Sequence, residues 1–141
     1  MKKTTLVLVT LLVVSGLMLL ACTSMGSSAG LTGVTWKLVS YGPAANQTPA
    51  VPGIQTSLTF GTDGTVNGSL GCNSLGGKYE VQGDSLVFSQ MVSTMMACPG
   101  PQMTQESTSL KILSGKVRFQ MAGNTLTLYD ASGADTITFS K

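Results

Sequence analysis

Histidine is absent from this chain, and charge is scarce, with only 10% of 141 residues being Asp, Glu, Lys or Arg. Without imidazole there is no Ser-His-Asp or Cys-His catalysis, and no zinc site that depends on a histidine ligand. Cysteine is limited to Cys22, Cys72 and Cys98, with no Cys-X-X-Cys pair among them. The six carboxylates (Asp63, Glu80, Asp84, Glu106, Asp130 and Asp135) all lie in the C-terminal part of the chain. Low charge is not a sign of disorder here, because 43% of the residues are hydrophobic and disorder needs low hydrophobicity with high net charge. A long apolar span is missing too. The run over residues 6–21 is interrupted by Thr10, Ser15 and Gly16 and is shorter than the roughly 20 residues that cross a bilayer.

That short run has a different use. Lys2 and Lys3 precede it, and it ends in Leu19-Leu20-Ala21-Cys22. A cationic start, a short apolar core and a small residue before a processing point describe an export signal over residues 1–21. The last four residues look like a bacterial lipobox, which implies a lipid-modified Cys22. An uncleaved membrane anchor is the alternative, and both place the remaining chain outside the cytoplasmic membrane. Loss of residues 1–21 leaves six cations (Lys37, Lys78, Lys111, Lys116, Arg118 and Lys141) against six carboxylates. The mature side-chain charge is then zero, with no basic patch for nucleic acid and no polybasic run for anionic lipid. Residues 22–30 are small and polar and read as a flexible tether. The folded unit is expected over residues 31–141.

Within that unit the pattern is mainly β, a small antiparallel barrel or sandwich of hairpins with one α-helix. Val34, Trp36 and Leu38 alternate with Thr35, Lys37 and Val39 in the period-2 pattern of a half-buried strand. A Gly-, Pro- and Ala-rich loop is expected over residues 41–53. Turn chemistry then sets registers. A Thr62-Asp63-Gly64 loop, with Gly64 left-handed, places Phe60 opposite Val66. A Gly83-Asp84 turn places Val81 opposite Leu86 and Tyr79 opposite Phe88. A Gly123-Asn124 turn does the same for Met121 with Leu126 and Phe119 with Leu128. A Ser132-Gly133 turn pairs Leu128 with Ile137 and Leu126 with Phe139. Each turn and the apolar alternation agree on one register, and a one-residue slip would turn the apolar set outward. Pro101 at a first helical position and Gly115 as a stop delimit a helix over residues 102–114, with Met103, Leu110 and Leu113 on its inner face.

Few residues remain to carry chemistry. With Cys22 assigned to the lipid, Cys72 and Cys98 form an even pair in an exported domain, where a disulfide is the usual outcome. A redox-active or nucleophilic thiol is the alternative, although no cation adjoins either cysteine in the sequence. Met91, Met95, Met96 and Met103 cluster around Cys98, and such soft ligands suit Cu(I). A small-molecule or copper-binding barrel is therefore the competing functional reading. Glu106 is a lone carboxylate without a positioned partner. Asp63, Asp84 and Asp130 fall in or beside hairpin turns and need no further role. The glycine-rich stretch around Cys72 leads into a strand rather than a helix, so it reads as a tight bend and not a phosphate cradle.

The stretch from Gly68 through Gly71-Cys72-Asn73 to Tyr79 resembles the Gly-Cys-Asn core of the META domain, seen in HslJ-like lipoproteins. Thr94-Met95-Met96-Ala97-Cys98 resembles that family's second signature. Trp36 matches its first-strand tryptophan, and Glu106 its helix glutamate. Leu75 and Gly76 depart from the polar-then-aromatic pair common after the Asn. The resemblance spans residues 31–141. It implies a compact antiparallel β barrel with a helix, an envelope role linked to heat shock and novobiocin tolerance (or, in a eukaryotic branch, to motility or secretion), and no enzymatic activity. The expectation is a non-enzymatic, lipid-anchored envelope protein. It has no catalytic residues, no cofactor and no metal, and its partners are the membrane and an envelope protein.

Overall fold

A computed structural model describes residues 29–141. The expected export signal, Cys22 and residues 22–28 of the tether lie outside the described residues. The elements are β1 (Thr35–Pro43), β2 (Thr48–Pro49), β3 (Ser57–Phe60), β4 (Thr65–Ser69), β5 (Ser74–Gln82), β6 (Ser85–Ser93), α1 (Pro101–Ile112), β7 (Lys116–Ala122), β8 (Thr125–Tyr129) and β9 (Asp135–Ser140). Strand β2 pairs with β1 alone. The other eight run antiparallel in the order β1-β3-β4-β5-β6-β7-β8-β9, and β9 pairs back onto β1 to close a barrel.

An eight-stranded barrel has an interior just wide enough for side chains to fill. Here Trp36, Leu58, Phe60, Leu126, Leu128, Ile137 and Phe139 fill it, all fully buried. The rings of Phe60 and Tyr79 meet edge to face with centroids 4.9 Å apart. The expected registers are all present: Phe60 opposite Val66, Tyr79 opposite Phe88 and Val81 opposite Leu86, Phe119 opposite Leu128 and Met121 opposite Leu126, and Leu126 opposite Phe139 and Leu128 opposite Ile137. Gly64 has φ +77°, as its loop requires.

Three expectations need correction. Residues 41–53 are not all loop. Strand β1 continues to Pro43, and Tyr41 is buried. A bulge at Val39, between the Leu38 and Ser40 pairings with β9, adds one residue. The inward face then passes from Leu38 to Tyr41, and the strict alternation is lost. The β8–β9 connection is longer than a two-residue turn: Asp130 donates its amide to the Asp135 carbonyl at 3.0 Å across residues 131–134, which leaves the register unchanged. The helix begins at Pro101 and its buried residues are Gln105, Glu106, Ser109 and Ile112. Of the expected apolar stripe, Leu113 is buried, whereas Met103 and Leu110 are only half-buried. Gln105 and Glu106 face inward because they find partners there, whereas the buried Ser109 hydroxyl has none.

Antiparallel order sorts the connections into two ends. The chain begins β1 and finishes β9 at the end carrying the β3–β4, β5–β6 and β7–β8 turns. Helix α1, the β4–β5 bend and residues 94–100 lie at the other. Among the described residues no helix is long and apolar enough to cross a membrane.

Candidate functional site

Of the residues singled out by the sequence, Gly71, Cys72, Asn73, Thr94, Met96, Cys98 and Glu106 gather at the helix-bearing end. Their assembly starts from what glycine permits. A Cβ on Gly71 would lie 2.5 Å from the Gln102 carbonyl oxygen, closer than real side chains come, so only glycine lets α1 pack directly on the bend between β4 and β5. A Cβ on Gly68 would collide with the Ser57 carbonyl of the neighbouring strand. The stretch is thus a close-packing device, in keeping with the tight bend expected from the sequence.

Helix α1 sets Glu106 into this contact. Glu106 Oε2 accepts the backbone N–H groups of Cys72 at 2.7 Å and Asn73 at 2.5 Å. Its Oε1 accepts Asn73 Nδ2 at 2.7 Å. Asn73 passes the connection on: its Oδ1 accepts the Thr94 hydroxyl at 2.8 Å and the Met96 N–H at 2.7 Å. Its Nδ2 also donates to the Met96 carbonyl at 3.3 Å. The Ser74 N–H in turn donates to Thr94 Oγ1 at 3.2 Å. Glu106 and Asn73 are each 4% exposed. A buried polar group stripped of its partners costs roughly 1–3 kcal/mol, so such a set holds together or fails together.

Gln105, beside Glu106, forms a parallel tie. Its Nε2 donates to the Leu70 carbonyl at 2.6 Å, and its Oε1 accepts the Val51 N–H at 2.7 Å. Sequence reasoning did not single out Gln105. A glutamine next to Glu106, on a helix with little apolar surface, was the available signal. The Cys72–Cys98 disulfide closes the arrangement, with Cα atoms 5.9 Å apart. Both sulfurs are used in that bond, so neither cysteine is a free thiolate in this structure.

The other candidates are placed as follows. Met96 joins through its backbone, while its side chain is 55% exposed. Met95 is 98% exposed, and Met91 packs against the barrel core. Trp36 is not part of this site. It is buried at the chain-entry side, where its Nε1 donates to the Leu31 carbonyl at 3.0 Å and the Lys141 ammonium lies 5.7 Å from its ring. Asp63 and Asp130 act within their turns. The Thr65 hydroxyl and N–H hold the Asp63 carboxyl below its ordinary pKa, and the Ser132 hydroxyl does so for Asp130. Burial, then the Asp63 charge, pushes the Tyr79 phenol up. Chemically the site is a clamp. Glu106 has both oxygens engaged and is shut away from solvent, whereas acid–base work needs a carboxyl that can reach a substrate.

A family model described as the META domain matches residues 29–141. Among solved structures, the chain is similar to a protein from Burkholderia xenovorans determined by NMR. That match has 28% identity and a TM-score of 0.65, and covers 80% of this chain and 84% of that one. It is also similar to a second NMR structure, at 22% identity and a TM-score of 0.65 over 82% of this chain and 95% of that one. A DUF4847 family protein from Bacteroides vulgatus shares the fold at 17% identity and a TM-score of 0.60, over 80% and 95% of the two chains. No curated protein matches the chain significantly.

Proposed function

The chain belongs to the META domain family, and on that premise we propose that it is a non-enzymatic, lipid-anchored envelope protein that presents the helix-bearing end of its barrel to another envelope protein. The observation that carries this reading is the buried clamp. Glu106, Asn73 and Thr94 spend their polar groups on one another and on the backbone of residues 72–74 and 96. Such a motif shapes a surface; it does not attack a substrate.

Two features support the anchored arrangement. Leu19-Leu20-Ala21-Cys22 has the form of a lipobox. The described chain starts at the barrel end opposite the clamp, so a tether of residues 22–28 attached there holds the clamp end away from the membrane. Seven extended residues reach at most about 25 Å. The family's link to envelope stress fits a protein that works by contact in this place.

The test has two parts. Wild-type protein is expected in the membrane fraction and Cys22→Ala in the soluble fraction; equal partition of the two sinks the anchor. A photo-crosslinking side chain at position 95 is expected to yield a discrete adduct in cells, and one at position 124 is not. Identical patterns from both ends argue against a partner at the clamp end. A deletion strain with unchanged novobiocin sensitivity removes the drug-tolerance link.

A further inference from the structure

The barrel is closed, yet one strand keeps an open edge. Strand β6 pairs with β7 only through Ser85, Leu86 and Val87, and the last bond to the chain leading into β7 runs from the Phe88 N–H to the Gly115 carbonyl at 2.8 Å. Beyond Phe88, β6 pairs with β5 alone, and among the described residues no strand takes its other edge. A bulge contributes, since Gln90 has φ +52° and the register shifts between Gly76 and Lys78. Helix α1 stands across the gap without filling it. Between them lies a groove of about 360 Å³, lined among others by Phe88, Met91, Val92, Leu110, Leu113 and Gly115. Val92 is 69% exposed at its rim. Natural proteins cover or charge long open edges, because a row of unpaired N–H and C=O groups is a template for another strand. This edge carries neither charge nor proline over residues 89–93.

We propose that this groove takes an extended segment of a partner protein, added as a strand to β6, with apolar side chains at alternate positions and a carboxylate at its C-terminal end. Each part follows from the site. The unpaired backbone edge specifies an extended chain, and five residues of β6 match about 17 Å of it. The walls contributed by Phe88, Met91, Leu110 and Leu113 specify apolar side chains, which in a strand recur at every second position. The groove's lining residues are all uncharged; the cation next in sequence to Gly115 of that lining is Lys116, the first residue of β7, which is exposed and lines a neighbouring pocket with Arg118 and Asp130. The one ion pair among the described residues is Lys111 with Asp135, at 3.7 Å, so Lys116 has no carboxylate partner there. A strand continuing the line of β7 runs antiparallel to β6 and brings its C-terminal end to Lys116. The proposal rests on the partner-binding reading above and names the chemistry of the partner.

The probe is a panel of N-acetylated heptapeptides alternating valine, isoleucine, leucine or phenylalanine with threonine, each as free acid and as amide. They are titrated into the isotopically labelled full chain and followed by amide NMR shifts. Binding tighter than about 1 mM by at least one peptide is expected, with shifts confined to residues 88–93 and 110–116. N-methylation of one alternating set of peptide amides is expected to weaken binding at least tenfold, while the other set leaves it unchanged. The free acid is expected to bind several-fold tighter than the amide at low salt, and Lys116→Gln to erase that preference without unfolding the protein. The proposal is overturned if no peptide binds, if both methylation patterns behave alike, or if the shifts lie elsewhere. It is also overturned if the chain alone dimerises with residues 89–93 protected, which assigns the edge to a second copy. Because the titration needs no anchor and no cell, its failure and a failure of the Cys22 experiment are separate results.

Discussion

Strands β7 to β9 and the helix-bearing end of the same barrel are held by different chemistry. The three strands form two consecutive hairpins, Phe119–Leu128 and Leu128–Ile137 being facing pairs in one continuous apolar layer. Their pairings with one another are local in sequence, and each turn selects its own register. At the other end, Gln105 and Glu106 reach partners 33 to 54 residues away, and the ties are polar. Hydrophobic burial is non-directional and tolerates adjustment, whereas a buried hydrogen-bond set is specific and loses much when one member goes. The hairpin side therefore supplies bulk stability, and the clamp defines the shape of the surface proposed for a partner.

The largest effect on this contrast is expected from the apolar side. Phe139 is fully buried inside the ring, and Phe139→Ala is expected to cost about 3–5 kcal/mol. Hydrogen exchange should then quicken in the clamp and the hairpins alike, since one barrel core is shared. Next is the disulfide. Loop-closure entropy for a sequence separation of 26 corresponds to about 3.5 kcal/mol as an upper figure. Cys72→Ser, Cys98→Ser and the double variant should melt at similar, clearly lower temperatures by calorimetry; an unchanged melting temperature would count against any stabilising role.

Glu106→Gln separates the two regions most sharply. In either orientation the new amide sets an NH2 against a donor, the backbone N–H groups of Cys72 and Asn73 or the Asn73 side-chain amide, at about 1–3 kcal/mol. Exchange of the Cys72, Asn73 and Met96 amides should accelerate well beyond that of β7–β9; uniform acceleration would falsify the division into two regions. A smaller effect is expected at Gly123, which turns the β7–β8 hairpin at φ +59°. Gly123→Ala should cost about 1 kcal/mol and leave the NMR contacts between Phe119 and Leu128 in place.

The smallest effect is that of acid. Asp63 and Asp130 have carboxyl pKa values lowered from 3.8 by hydrogen bonds from Thr65 and Ser132. A carboxyl depressed by folding adds stability above its unfolded-state value and loses it as the pH falls through the folded one. The double variant Asp63→Asn, Asp130→Asn should thus melt slightly below wild type at pH 7, and the gap should shrink from about pH 4 downward. A gap that stays constant to pH 2 would show that these turns do not depend on charge. Tyr79 works in the opposite sense: its pKa is raised above 10.0, so its contribution is full below that value and lost as the pH rises further.

What the sequence determined by itself is everything governed by neighbours along the chain. Turn residues such as Gly64, Gly83-Asp84 and Gly123-Asn124 select backbone conformations that few other residues reach. Together with period-2 alternation they specified seven facing pairs and the mainly β fold. The Cys72–Cys98 pairing was legible by elimination, and the motif residues from Gly71 to Glu106 by resemblance. Tertiary structure alone decided the rest. The bulges at Val39 and Gln90 shift strand parity without any local sign. The inner face of α1 could not be read from its apolar residues, because Glu106 and Gln105 are stable inside only when Asn73, Leu70 and Val51 are brought to them. The open edge of β6 exists because β7 starts only at Lys116, opposite Val87, and the chain before it is helix α1. Burial of a polar group and vacancy beside a strand are both properties of what lies opposite, and one stretch of chain carries no record of its opposite.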